Sequence, residues 1–211
     1  EICACLVGSE MCIETVYIVA YASPDFSITQ IGNLASLRIG IKNASKEQSE
    51  NVLEASALLS GAHIHHKIAD NIIAAIWRKY ILNCAYNITT ARYNRTIGQL
   101  REDPETAAQY ETLVRESWLV SEAAGAGVPE TSINEIIDQF YHKLDPASTS
   151  SLQRDIWAGR PSELETFSGY LVRKAKELSV PVLLSETMYS DLQKIFQNKA
   201  DICLLYTSDA A

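Results

Sequence analysis

The chain has 211 residues, 47% of them hydrophobic, and a formal net charge of −8. That apolar content is enough for one large core or two small ones. The negative charge argues against a general nucleic-acid-binding surface, and the lack of any run of about 18 uncharged apolar residues argues against a membrane span.

The opening, Glu1-Ile-Cys-Ala-Cys5, has neither an initiator Met nor a basic segment ahead of an apolar one, so it reads as a chain already under way. Cys3, Cys5, Cys12 and Cys84 form no CxxC pair and no evenly spaced disulfide framework. A reducing cytoplasm is the expectation. The sequons at Asn43, Asn87 and Asn94 are then chance matches. His63-Ile-His65-His66 has no acidic or cysteine ligand at metal spacing, so it reads as a strand with exposed imidazoles and no metal is expected.

The first third reads as α/β. Cys12 to Ala22 is rich in β-branched and aromatic residues and stops at Ser23-Pro-Asp. Phe26 to Ile31 and Leu37 to Ile41 are two further strand candidates, parted by Gly32-Asn. Lys46 to Leu59 has helical periodicity, and Ala62 to Ile68 is a last strand. These are too few strands to complete a sheet.

From Asp70 onward the pattern is helical. Asp70 is the expected N-cap of a helix from Asn71 to about Tyr93. Asp103-Pro104 opens a second, which Gly125-Ala-Gly127 ends. Ser132-Ile-Asn-Glu135 is a capping box for a third, to about Leu144. A short helix covers Leu152 to Trp157, Ser162-Glu-Leu-Glu165 opens another to about Leu178, and a final helix runs from Ser185 or Glu186 to about Asn198. Cys203 to Ala211 looks like read-through of a sequencing adapter and is set aside. The expected organisation is a remnant of an α/β domain over 1–69, an all-α domain over 70–202, and a non-native tail over 203–211.

Dinucleotide, phosphate-loop, zinc-protease and nucleophile-elbow motifs are absent. The informative stretch is Trp77 to Asn87, which puts Lys79, Asn83 and Asn87 at i, i+4 and i+8. Each step advances about 40° on a helix, so one cation and two carboxamides share a face. Asn is a poor helix-interior residue, so two in register need a reason. A solvated polar stripe is the plain one. A second polar cluster follows at Ser150-Ser-Leu-Gln-Arg-Asp155 and Gly159-Arg-Pro-Ser-Glu163.

In this order, W-x-K-x-x-x-N-x-x-x-N, then S-S-x-x-x-D-x-x-x-G-R-x-S-E, then Gly169-Tyr-Leu-Val-Arg173 and Val180-Pro181, the chain closely resembles the ketopantoate reductase (2-dehydropantoate 2-reductase) family. The resemblance covers almost all of the chain ahead of the tail. It implies the last strands of a Rossmann-type NADPH-binding domain, followed by a helical C-terminal domain like that of 6-phosphogluconate dehydrogenase. That helical domain is of the substrate-binding and dimerisation type, with which a homodimer is compatible. The chain would then begin after the glycine fingerprint and be inactive by itself, and the site would lie in a cleft between the domains.

The resemblance makes Lys79 the catalytic lysine, Asn83 and Asn87 substrate-binding asparagines, and Ser151 the serine that meets the substrate carboxylate. Glu163 becomes the glutamate near the cofactor, and Ala20 falls where the backbone nears the nicotinamide. The implied reaction takes hydride from NADPH to the keto carbon of a small 2-oxo acid, giving pantoate for pantothenate synthesis. A lysine can stabilise the charge developing on the carbonyl oxygen and hand over a proton, and partial burial would lower its pKa. Carboxamides orient a hydroxy-oxo acid without placing a like charge against its carboxylate.

Plain structural roles stand beside these. Asp155 and Arg160 read as an ion pair or helix-end contacts, Glu163 as an acid favoured in a first helical turn, and Trp77 and Trp157 as core. The sequence departs from the pattern at Ile97, Ser148 and Ser168, where relatives carry asparagine. These departures leave the reaction type standing and keep another 2-oxo acid open as substrate. A non-enzymatic helical interaction module is the remaining alternative, and would leave the Lys/Asn/Asn face splayed into solvent.

Overall fold

A computed structural model describes residues 13–22 and 27–208. Cys3, Cys5, Cys12 and the Ser23-Pro-Asp stop lie outside the described residues, as does the last part of the tail, 209–211. The chain divides into two compact units, 1–76 and 77–211.

In the first unit, β1 (Ile13–Ala22) pairs antiparallel with β2 (Ile28–Gly40), and β2 pairs parallel with β3 (His66–Ile68). The two strands expected on either side of Gly32-Asn are one strand. The Gly-Asn pair sits in a wide register break instead: Ile18 faces Ala35 and Ala20 faces Gln30, so Ile31 to Leu34 stand opposite Val19 alone. A glycine inside a strand commonly marks such a bulge and need not end the pairing.

The parallel β3 is reached through α1 (Lys46–Gly61), as a crossover requires. Ser45 caps α1 with a reciprocal box to Gln48. β3 is shorter than expected because Ala62, His63 and Ile64 donate their N–H groups back to Leu58, Ser60 and Leu59, closing the helix end. His63 takes a left-handed φ of 58° there. His66 Nδ1 lies 2.8 Å from the Ile64 carbonyl and Nε2 lies 2.7 Å from Ser56 Oγ. A carbonyl can only accept, so Nδ1 carries a proton and donates to it.

The helical unit is organised on α2 (Ile72–Tyr93). Its cap is Asn71 and not Asp70: the Asn71 Oδ1 accepts the Ala74 N–H at 3.1 Å, and its carbonyl takes the first helical bond from Ala75. A helix absent from the sequence reading, α3 (Ile97–Glu102), follows with a Thr96/Gln99 capping box, before Asp103 caps α4 (Pro104–Ala123) as expected.

α5 (Glu130–His142) begins ahead of the Ser132 box. Val128 is already pinned on both sides, by Glu122 Oε1 on its N–H and by Trp118 Nε1 on its carbonyl, so the helix starts directly after Pro129. α6 (Ser151–Trp157) is capped by Ser150. A π turn, Glu165–Gly169, runs into α7 (Tyr170–Leu178), and α8 (Leu183–Ser208) runs beyond the expected Asn198, with no Gly or Pro to stop it.

The core of this unit is fully buried around Ile81, Ile88, Leu113, Ile136 and Leu171, with the Tyr110 and Phe140 rings stacked at 4.0 Å. Each such aliphatic chain contributes about 1.5–3 kcal/mol by leaving water. Among the described residues, no helix is long and apolar enough to cross a membrane. No group of three or more His, Cys, Asp or Glu side chains among them could hold a metal ion.

Candidate functional site

Lys79, Asn83 and Asn87 occupy successive turns of α2. Lys79 and Asn83 are half-buried and Asn87 is only 7% exposed, so the face is partly withdrawn from solvent. The Asn87 amide donates to the Asn83 carbonyl at 2.9 Å. That bond orients the carboxamide and uses one of its two N–H groups.

Two other segments are held against α2 by residues that flank this face. On one side the Tyr86 hydroxyl donates to the Thr149 carbonyl at 3.2 Å, and Thr90 Oγ1 lies 2.7 Å from Ser150 Oγ. Gln153 reaches Asn94 at 3.0 Å, and Trp157 donates to the Ala91 carbonyl at 2.8 Å. Ser150 is buried, and Ser151, the first residue of α6, is exposed beside it.

On the other side the Tyr80 hydroxyl lies 2.9 Å from the carbonyls of both Thr166 and Phe167, and the Cys84 thiol donates to Phe167 at 3.3 Å. A π turn leaves carbonyls without their usual helical donors, and these two side chains meet them. Glu163 precedes that turn with its carbonyl accepting from Thr166 and Phe167 and its side chain exposed. Burial, then the adjacent Cys84, drives the Tyr80 phenol far above its ordinary range, and burial pushes the Cys84 thiol up to about 12.

Ala20 belongs to the other unit, directly after the register break in β1. Asp155 and Arg160 form the expected ion pair at 2.7 Å. The departures Ile97 and Ser148 touch each other, the Ile97 N–H donating to the Ser148 carbonyl at 3.1 Å, and the Ile97 side chain is fully buried in the core. Ser168 is likewise fully buried. The anchors Tyr80, Cys84, Tyr86 and Thr90 were given no role from the sequence, and Ser150 was noted only as part of the second polar cluster. The available signal was the run of polar positions alternating with the Lys/Asn/Asn face. A cavity of ≈520 Å³ lined by Arg101, Ala107, Glu111, Arg115 and Tyr141 lies elsewhere, and none of the expected site residues borders it.

The sequence model described as "Ketopantoate reductase PanE/ApbA C terminal" matches residues 71–196. The chain belongs to this family. Among its relatives is the "uncharacterized oxidoreductase YkpB" of Bacillus subtilis, 27% identical over 163 residues, 75% of this chain and 52% of that protein. A 2-dehydropantoate 2-reductase of Shigella flexneri is 32% identical over 115 residues, 54% of this chain and 36% of that protein. The chain therefore spans about half the length, or less, of these curated relatives.

The fold is shared with the dimeric ketopantoate reductase of Staphylococcus aureus, with TM-score 0.76, 24% identity, and coverage of 89% of this chain and 62% of the other. It is shared equally with a D-mandelate dehydrogenase solved with NADH and anilino(oxo)acetate, with TM-score 0.75, 17% identity, and coverage of 87% and 59%. The helical C-terminal domain expected for the family is thus the fold of residues 71–196.

Proposed function

We propose that the protein carrying this chain is an NADPH-dependent oxidoreductase that reduces ketopantoate to pantoate. The observation that carries this reading is the family match over 71–196 together with a partly buried Lys/Asn/Asn face beside which Thr90 holds the Ser150-Ser151 segment. The reduced nicotinamide, when bound, supplies hydride to the keto carbon.

Lys79 donates a hydrogen bond to the carbonyl oxygen, stabilises its developing negative charge and delivers its proton. Asn87 meets a substrate hydroxyl with its remaining acceptor, Asn83 holds the second oxygen, and the exposed Ser151 hydroxyl meets the carboxylate. The residues available to the dinucleotide fit it in kind. Ala20, a small residue next to a bulged strand, allows close backbone approach, and the exposed Glu163 carboxylate can accept from hydroxyl or amide donors. The enzyme works in the cytoplasm, and a homodimer through the helical domain is part of this reading.

The full-length protein should oxidise NADPH in the presence of ketopantoate. Lys79→Ala should lower kcat by about 10²- to 10⁴-fold while leaving the Kd for NADPH within a few-fold. An unchanged kcat would remove Lys79 from the mechanism. The resemblance to a D-mandelate dehydrogenase, and the departures at Ile97 and Ser148, favour a second reading with another branched or aromatic 2-oxo acid and NADH. A panel of 2-oxo acids with each nicotinamide, ranked by kcat/KM, separates the two.

A further inference from the structure

Thr90 lies three residues beyond Asn87 on α2 and is fully buried. Its Oγ1 is 2.7 Å from the Tyr86 carbonyl and 2.7 Å from Ser150 Oγ, while Ser150 Oγ also accepts the Gln153 N–H at 3.0 Å. Each hydroxyl has one proton. The Tyr86 carbonyl can only accept, so it takes the Thr90 proton, and the Ser150 proton points at Thr90 Oγ1. The result is a directed chain: Gln153 N–H to Ser150, Ser150 to Thr90, Thr90 to the backbone of α2. One turn earlier Tyr86 grips the preceding Thr149 carbonyl. The residue immediately after this double clamp is Ser151.

We propose that Thr90 is a positioning residue for the substrate carboxylate. It touches no ligand; it fixes Ser150 against α2 and so sets where the Ser151 hydroxyl stands relative to the Asn83 and Asn87 carboxamides. The inference rests on the proposed role of Ser151. Valine at position 90 keeps the shape and removes the hydroxyl, leaving the buried Ser150 proton without an acceptor. The segment then shifts or loosens, and the substrate loses one fixed contact while Lys79 and the cofactor keep theirs.

The test is steady-state kinetics on the full-length enzyme with its best 2-oxo acid. Thr90→Val should raise KM for the 2-oxo acid about tenfold, with kcat and the KM for the nicotinamide within twofold, and Thr90→Ser should restore the wild-type value. Ser150→Ala, which breaks the same bond from the loop side, should give a similar rise, and the double variant should be no worse than either single one. This second variant decides the matter if Thr90→Val fails to fold. Ser151→Ala is measured in parallel. If it raises KM and neither Thr90→Val nor Ser150→Ala does, the positioning role is overturned and the site reading stands. If Ser151→Ala leaves KM unchanged, both fall. A uniform loss in kcat and both KM values with Thr90→Val, unrepaired by Thr90→Ser, would make Thr90 a core residue only.

Discussion

Glu116 on α4 and Ser185 on α8 are joined twice, the Ser185 N–H and hydroxyl both donating to Glu116 Oε2 at 2.8 and 2.6 Å. The other carboxylate oxygen takes the Leu184 N–H at 2.9 Å. A side chain distant in sequence thus caps the first turn of the last helix, where a negative charge also suits the helix dipole. Glu116→Ala should lower stability by about 1–3 kcal/mol, since it strands three donors at a partly buried end. Glu116→Gln, which keeps one acceptor oxygen, should recover part of it. Urea denaturation with an unchanged m value checks both.

Tyr80→Phe should also be costly. It removes the donor shared by the Thr166 and Phe167 carbonyls and keeps the ring contacts with Trp77 and Tyr170 at 5.5 and 5.7 Å. The expected loss is about 1–2 kcal/mol. Hydrogen exchange should show faster opening confined to the π turn and the start of α7. An unchanged exchange pattern there would mean that the hydroxyl does not hold the turn.

Cys84 should behave as an inert thiol. It is fully buried, and its pKa is pushed up to about 12, so almost no thiolate exists at neutral pH. Peptide-resolved alkylation of the native protein should leave the Cys84 peptide unmodified on a timescale in which it reacts fully in denaturant. Fast native labelling would show that the π turn lifts away from α2.

The Glu165–Arg173 bridge gives a pH-dependent signal. The Tyr189 hydroxyl and then the Arg173 guanidinium hold the Glu165 carboxyl below its ordinary value. A depressed folded value means that the contribution is present above the ordinary Glu pKa of about 4.3 and disappears as pH falls through the lowered value. Both partners are more than half exposed, so solvent screening keeps the effect small. The stability difference between wild type and Glu165→Gln should be constant from neutral pH to about 5 and close below about 4. A difference that grows in acid would reverse the assignment. Gly169 belongs to the same feature: a Cβ there would run into Glu165 Oε2 and lie 2.8 Å from Arg173 Nη1, so the glycine lets the bridge cross the helix.

What the sequence made legible was local. Asp103-Pro104 and the apolar periodicity of α2 located their helices because the signals act within one turn. Asn71 displaced Asp70 as a cap by one position, which composition cannot separate because both side chains can accept the same bond. The start of α5 and the cap of α8 depend on Trp118, Glu122 and Glu116, side chains distant in sequence, so no local motif announces them. The π turn is equally silent, since its carbonyls are met by Tyr80 and Cys84 from another helix. For the candidate site, the spacing of Lys79, Asn83 and Asn87 was visible. The flanking residues that hold Ser150 and the π turn in place became visible only in three dimensions.

Those flanking residues make α2 a ruler. Tyr80 grips the segment after Glu163, Thr90 grips the segment before Ser151, and Asn83 and Asn87 lie between them on the same helix. One residue inserted between Tyr80 and Thr90 would swing the two grips about 100° apart. Point changes at Asn83 or Asn87 would leave both grips in place. The helix can therefore exchange the side chains at these two positions far more readily than it can change its length.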